Sequence, residues 1–189
     1  MINHILIWDN DGTIMGSQDP NDPNKVILPH VQATMSHPHT LNIICSGCKT
    51  PTSELQNFNP TQIVQRLTSL MTTLPITAAT FSPTIGGVEC FVLIKEEDGS
   101  FTVHKAHEEE RYKQLVGSFK KPGTGMLLVI KDLLQEKFGL SINASTTRMI
   151  GDTWHDKEAA TAVGIPFVDA KAIHEGKNLF RLTLEQRKY

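Results

Sequence analysis

The sequence predicts an α/β fold: a parallel β-sheet with helices on both faces. Three observations point there. Apolar runs stop abruptly at polar residues, as Ile5-Leu6-Ile7-Trp8 stops at Asp9 and Leu41-Asn42-Ile43-Ile44-Cys45 stops at Ser46-Gly47. Between such runs the apolar residues shift to helical spacing, as in Ile63, Leu67, Leu70 and Leu74. Glycine and proline punctuate the boundaries. Strands that alternate with helices build a parallel sheet covered on both sides.

Each element follows in order. Residues 2–8 read as a buried strand, and Met15 to Pro29, rich in Gly, Asp, Asn and Pro, as a loop. Leu28 to His37 makes a short helix that tolerates Pro29 in its first turn. Asn59-Pro60-Thr61-Gln62 opens the next helix, with an N-cap residue and proline at the first position. That helix runs to Pro75, and Ile76 to Phe81 forms a third strand. Cys90 to Ile94 and Phe101 to His104 flank Glu97-Asp98-Gly99-Ser100, the signature of a β-hairpin, read as a small insertion. After the charged segment Glu108–Lys113, Lys120-Lys121-Pro122-Gly123 precedes a helix from Thr124 to Phe138 that Gly139 terminates. Thr147 to Ile150 is a strand ending in Gly151-Asp152, Lys157 to Val163 a helix closed by Gly164, and Pro166 to Val168 a last short strand. Lys171 to Tyr189 reads as a surface helix. The expectation is a doubly wound sheet in one domain spanning residues 1–189, with no large cap.

Composition narrows the class. At 189 residues the chain supports one domain with a substantial core. A formal net charge of −2 argues against a dedicated surface for nucleic acid or anionic membrane. No apolar run approaches the roughly 20 residues of a membrane span, and no signal-peptide core is evident. Three cysteines do not make a disulfide framework. A cytoplasmic protein with reduced thiols is the expectation.

The chemistry concentrates in Asp9-Asn10-Asp11-Gly12-Thr13. In an extended strand end alternate side chains share a face, so Asp9 and Asp11 are expected to approach one ligand together. Gly12 lets the chain turn, and the Thr13 hydroxyl is expected to hold that turn by a local hydrogen bond. Two adjacent carboxylates repel unless a cation separates them. Mg²⁺, a hard ion that takes carboxylate and carbonyl oxygens, answers that need.

Asp-x-Asp-Gly-Thr after an apolar strand resembles the first motif of the haloacid dehalogenase-like superfamily, in its phosphatase branch. Ser46-Gly47, then Lys121-Pro122 opening a helix, then Gly151-Asp152-x-x-x-Asp156 follow in that family's order, from Ile5 to about Gly164. The Lys-Pro form resembles the histidinol-phosphate, heptose-bisphosphate and polynucleotide 3′-phosphatases. The resemblance implies a Rossmann-like fold and the following roles. Asp9 attacks phosphorus and forms an aspartyl-phosphate. Asp11 protonates the leaving oxygen and then deprotonates water. The Asp9 carboxylate, the Asp11 backbone carbonyl and Asp152 hold Mg²⁺. Ser46, Gly47 and nearby N–H groups bind the phosphate oxygens, Lys121 balances their charge, and Asp156 orients Lys121 or a metal-bound water. Thr13 supports the loop.

Other readings stand beside this one. Asp156 also suits a helix N-terminus as a mere partner of the dipole. Cys45, Cys48, His104 and His107 have spacing permissive for zinc, but Cys45 inside a strand would point its sulfur away from Cys48; buried thiols and hairpin histidines fit better. Trp154 and His155 fall near the mouth of the site, where they could stack on a substrate. The gaps between motifs leave no room for a folded cap, so the cleft is expected to be open and to admit a phosphate carried by a macromolecule. A phosphoprotein, of the phosphotyrosine type, is the first choice. A nucleic-acid 3′-end, supported by Lys120, Lys121, Arg111 and Lys113, and a small sugar or amino-alcohol phosphate are alternatives. A catalytically silent binding module is the non-enzymatic one.

Overall fold

A computed structural model describes residues 2–16, 26–47 and 59–180. Seven strands form one sheet: β1 (His4–Trp8), β2 (Thr40–Gly47), β3 (Ala78–Ser82), β4 (Phe91–Lys95), β5 (Phe101–Lys105), β6 (Thr147–Gly151) and β7 (Phe167–Asp169). Their order across the sheet is β5-β4-β3-β2-β1-β6-β7. β1, β2, β3, β6 and β7 run parallel, and β4 and β5 add antiparallel. The helices are α1 (Pro29–Met35), α2 (Pro60–Thr73), α3 (Gly125–Phe138), α4 (Trp154–Ala162) and α5 (Ala170–His174).

Alternation along the strands builds two cores. Ile5, Ile7, Ile43 and Cys45 face α3 and α4. Leu6, Trp8 and Ile44 face α1, α2 and α5. Strands buried on both faces need near-continuous apolar sequence, which is what β1 carries. Within β2 the buried polar Asn42 is fully engaged. Its side chain accepts from the Trp8 indole at 3.0 Å and donates to the Met35 and Pro75 carbonyls, both at 3.0 Å. One buried amide thus ties the end of α1 and the approach to β3 to the central strands.

Local signals fix the helix ends. Asn59 accepts from the Thr61 N–H at 2.9 Å, capping α2 ahead of Pro60. Gly139 closes α3 at φ 64, in the left-handed region. One expectation needs correction. α4 begins at Trp154, three residues before Lys157, because Thr153 and Asp156 form a capping box there. The expected hairpin forms the sheet's antiparallel edge. The Lys95 N–H donates to Thr77 O at the start of β3, which puts the tip near Gly99 at the amino end of the parallel strands. The tail forms only α5 before residue 176, with Ala170 and Ile173 buried; residues 181–189 lie outside the described set. No helix among the described residues is long and apolar enough to cross a membrane.

The strand order reverses at β1, with β2 on one side and β6 on the other. In doubly wound sheets the crevice beyond the carboxyl ends at such a switch point is where ligands bind. Asp9 is the residue that leaves β1 there.

Candidate active site

Asp9 is anchored by its own backbone: its N–H donates to Ile150 O of β6 at 2.8 Å. The chain then turns sharply. The N–H groups of Thr13, Ile14 and Met15 converge on the Asn10 carbonyl at 3.3, 3.0 and 3.2 Å, and Gly12 adopts φ 85, which a Cβ would strain. The expected role of the Thr13 hydroxyl is not found. Its Oγ1 is buried with no hydrogen-bond partner among the described residues, and backbone amides hold the turn instead. From outside, His174 Nε2 lies 2.9 Å from Thr13 O, so that nitrogen carries the proton.

Lys121 comes from the segment before α3, 112 positions from Asp9. Its ammonium has three protons and three acceptors: Asp9 Oδ1 at 2.5 Å, Cys45 O at 2.9 Å, and Asp156 Oδ1. Lys121 is 8% exposed, Asp9 6% and Asp156 1%. Of the adjacent pair of lysines, then, Lys121 is the buried one, and half-buried Lys120 lines the cavity wall.

Asp156 has both oxygens engaged, Oδ1 by Lys121 and Oδ2 by the Thr153 N–H at 3.1 Å and hydroxyl at 2.7 Å. It therefore caps α4 and orients Lys121 at once. Its close approach explains Gly151: a Cβ there would meet Asp156 Cβ and Cγ at 2.5 Å.

These carboxyls are not equivalent. Burial pushes the Asp9 carboxyl up to about 7, against the pull of Lys121 and with the push of Asp156. Burial would raise Asp156 too, but Lys121 and the Thr153 donors outweigh it and hold that carboxyl below its usual range. Burial alone would lower the Lys121 ammonium; Asp9 and Asp156 instead hold it above the ordinary lysine value. Two carboxylates share one ammonium, and the better hydrogen-bonded of them keeps the charge.

Asp152 follows β6, and one oxygen each from Asp9, Asp152 and Asp156 lie within 4.8 Å of one another. The donor set is all hard oxygen, which fits Mg²⁺. Lys121 and Thr153 take both oxygens of Asp156, whereas Lys121 takes only Oδ1 of Asp9, and Asp152 lies in the same cluster.

The Asp11 side chain is not a fourth member of this cluster. Its Oδ2 lies 3.7 Å from Arg66 Nη2 on α2, and its Oδ1 accepts from Asn10 Nδ2 at 3.2 Å. The expected shared face fails because the Asn10–Met15 turn begins immediately after Asp9 and ends the strand's alternation. Arg66 was not foreseen. A basic residue on the polar side of a helical stripe carries no local signal of what it will reach.

Ser46, next to last in β2, is buried, with Oγ lacking a hydrogen-bond partner among the described residues. Gly47 opens onto a cavity of about 360 Å³ with Asp9, Lys120, Lys121, Thr153, His155 and Asp156. Trp154, 59% exposed, stacks on His155 at 3.8 Å between ring centroids. Among the residues with zinc spacing, Cys48 lies outside the described set. Cys45 is buried in the core with its thiol pushed up to about 11 by burial, and His107 Nδ1 sits 2.9 Å from Cys90 O. Arg111 pairs with Glu109 and Glu136, and Lys113 with Glu110.

Neither a scan against protein-family models nor a search of the curated proteins returns a match for this chain.

Proposed function

We propose that the chain is a Mg²⁺-dependent phosphomonoester hydrolase of the haloacid dehalogenase-like type, working through an aspartyl-phosphate on Asp9. One observation carries the reading. A buried lysine and two further acids, from segments more than a hundred positions away, converge on the carboxylate that ends the central strand at the switch point. That combination suits transfer of a dianionic group: an acid to attack, a fixed cation to balance charge, and hard oxygens for a metal.

Asp9, Asp152 and the Asp11 carbonyl would hold Mg²⁺, which when bound neutralises charge between the nucleophile and the phosphoryl group and favours the ionised Asp9. An oxygen of Asp9 forms the bond to phosphorus as the leaving oxygen departs. Lys121, fixed by Asp156 and Cys45 O, balances the negative charge as it spreads over the phosphoryl oxygens. Ser46 Oγ has a donor to offer a phosphate oxygen, alongside backbone N–H groups at Gly47. Asp11 gives its proton to the leaving oxygen and in the second half takes one from water.

For substrate, we favour a phosphoprotein of the phosphotyrosine type. The hairpin tip is at the opposite end of the sheet, and exposed Trp154 stacks on half-buried His155, which lines the cavity. A polynucleotide 3′-end draws less support, because Arg111 and Lys113 are committed to acidic partners. Rates measured on phosphotyrosine peptides, 3′-phosphorylated oligonucleotides and sugar phosphates should rank the peptides first by kcat/KM. Turnover confined to oligonucleotides or sugar phosphates would overturn the substrate choice. No turnover of any phosphate ester with Mg²⁺ would favour a silent binding module.

A further inference from the structure

Arg66 sits on α2, across the sheet from Lys121 and Asp156. The stripe Ile63, Leu67, Leu70 and Met71 buries that helix against the core of Leu6, Trp8 and Ile44. Arg66 does not follow the solvent, as a basic residue on such a helix ordinarily does. Its side chain is two-thirds covered, at 33% exposure, and its Nε is buried with no hydrogen-bond partner among the described residues. The guanidinium lies 3.7 Å from the Asp11 carboxylate, and a cavity of about 300 Å³ lined by Asn10, Met15, Ile27 and Ser69 adjoins it. A long cationic side chain that gives up rotamer freedom and a buried N–H needs a compensating partner. Asp11 is that partner.

We propose that Arg66 is a positioning residue that holds the Asp11 carboxyl group back from the Asp9 cavity until substrate is bound. The inference rests on the phosphatase reading above. Asp11 must deliver its proton on the Asp9 side, to the leaving oxygen as that oxygen's bond to phosphorus breaks and the bond from Asp9 forms. In the structure its carboxylate instead leans toward α2. Leaving Arg66 is therefore part of reaching the working position, and the pairing opposes it. A partly exposed pair of this separation is weak, worth about twofold to fivefold in a population. The restraint is correspondingly slight, which suits a group that must move in every turnover.

The test compares two substrates in Arg66→Met, Arg66→Lys and the wild type. Phenyl phosphate needs an acid to release its oxygen, whereas p-nitrophenyl phosphate departs with little help. The kcat/KM ratio of phenyl to p-nitrophenyl phosphate, which reads the half-reaction that releases the alcohol, should rise about twofold to fivefold in Arg66→Met and return toward the wild-type ratio in Arg66→Lys. A change equal for both substrates would make Arg66 merely structural. A fall in the ratio would mean that it orients the acid for work rather than restraining it. Either outcome overturns the inference. A second arm needs no turnover: unfolding of Arg66→Met, Asp11→Asn and the double variant in EDTA should reveal coupling of about twofold to fivefold in the unfolding equilibrium constant. Additivity there sinks this role alone. Turnover that survives Asp9→Asn sinks the phosphatase reading, and this role with it, even where the coupling is found.

Discussion

Lys121→Met keeps much of the side chain's bulk and removes its charge, so it isolates the electrostatics of the site. The ammonium is shared by Asp9 and Asp156, both nearly inaccessible to water. Without it Asp9 has an outlet, since burial already pushes it up to about 7 and it can take a proton. Asp156 has none as good: Thr153 still donates to Oδ2, but Oδ1 loses its cation. Leaving one charge of a buried pair uncompensated costs about 3–5 kcal/mol, and the protonation of Asp9 places this case near the lower end, at ~3 kcal/mol. For a chain of this size that corresponds to a fall in Tm of about 6–12 °C. Urea unfolding in EDTA, followed by fluorescence of buried Trp8, measures it. Adding Asp156→Asn to Lys121→Met should recover more than half of the loss. A loss below ~1 kcal/mol, or two single effects that simply add, would refute the claim that one ammonium holds both carboxyls in place.

Three further outcomes follow from the same geometry. Gly151→Ala would drive a methyl group into Asp156, 2.5 Å away, so it should cost about 1–3 kcal/mol in urea unfolding and lower turnover along with it. In metal-free protein the raised Asp9 makes the folded state bind more protons than the unfolded between pH 3.8 and about 7, so this group's contribution to stability falls as pH rises through that window; Asp9→Asn should flatten that part of the Tm-against-pH curve. Mg²⁺ at a hundredfold over its Kd should raise Tm by about 5–11 °C, from ~2.7 kcal/mol of linkage at 2–4 °C per kcal/mol, and Asp152→Asn should abolish most of that rise.

Much of the fold was legible because it follows from local rules. Asn59-Pro60 announced α2, Gly139 stopped α3, and the runs before Asp9 and Ser46 became β1 and β2. The hairpin was visible as two strands and a turn, but its place was not, since pairing with β3 is a long-range choice that leaves no local mark. The start of α4 is written in Thr153-x-x-Asp156: the site role and the helix N-terminus, weighed as alternatives for Asp156 in the sequence, are both filled by that one residue. Asp9, Lys121, Asp152 and Asp156 were named from ordered motifs, and the structure brings all four together. Asp11 differs because strand alternation does not extend into the turn, and Thr13 because backbone amides rather than its hydroxyl hold that turn. Arg66 lay beyond reach, since its significance is a contact between two helical turns and a loop more than fifty positions away.

The central claim is that Asp9 takes the phosphoryl group covalently. Turnover stopped with acid in the steady state, followed by mass spectrometry of the proteolysed chain, tests it most directly. The account predicts one phosphoryl group on the peptide containing Asp9, absent from Asp9→Asn and cleared when substrate is exhausted. An unmodified Asp9 peptide at a time when product is accumulating through rate-limiting dephosphorylation, or a phosphoryl group carried elsewhere in the chain, would contradict it.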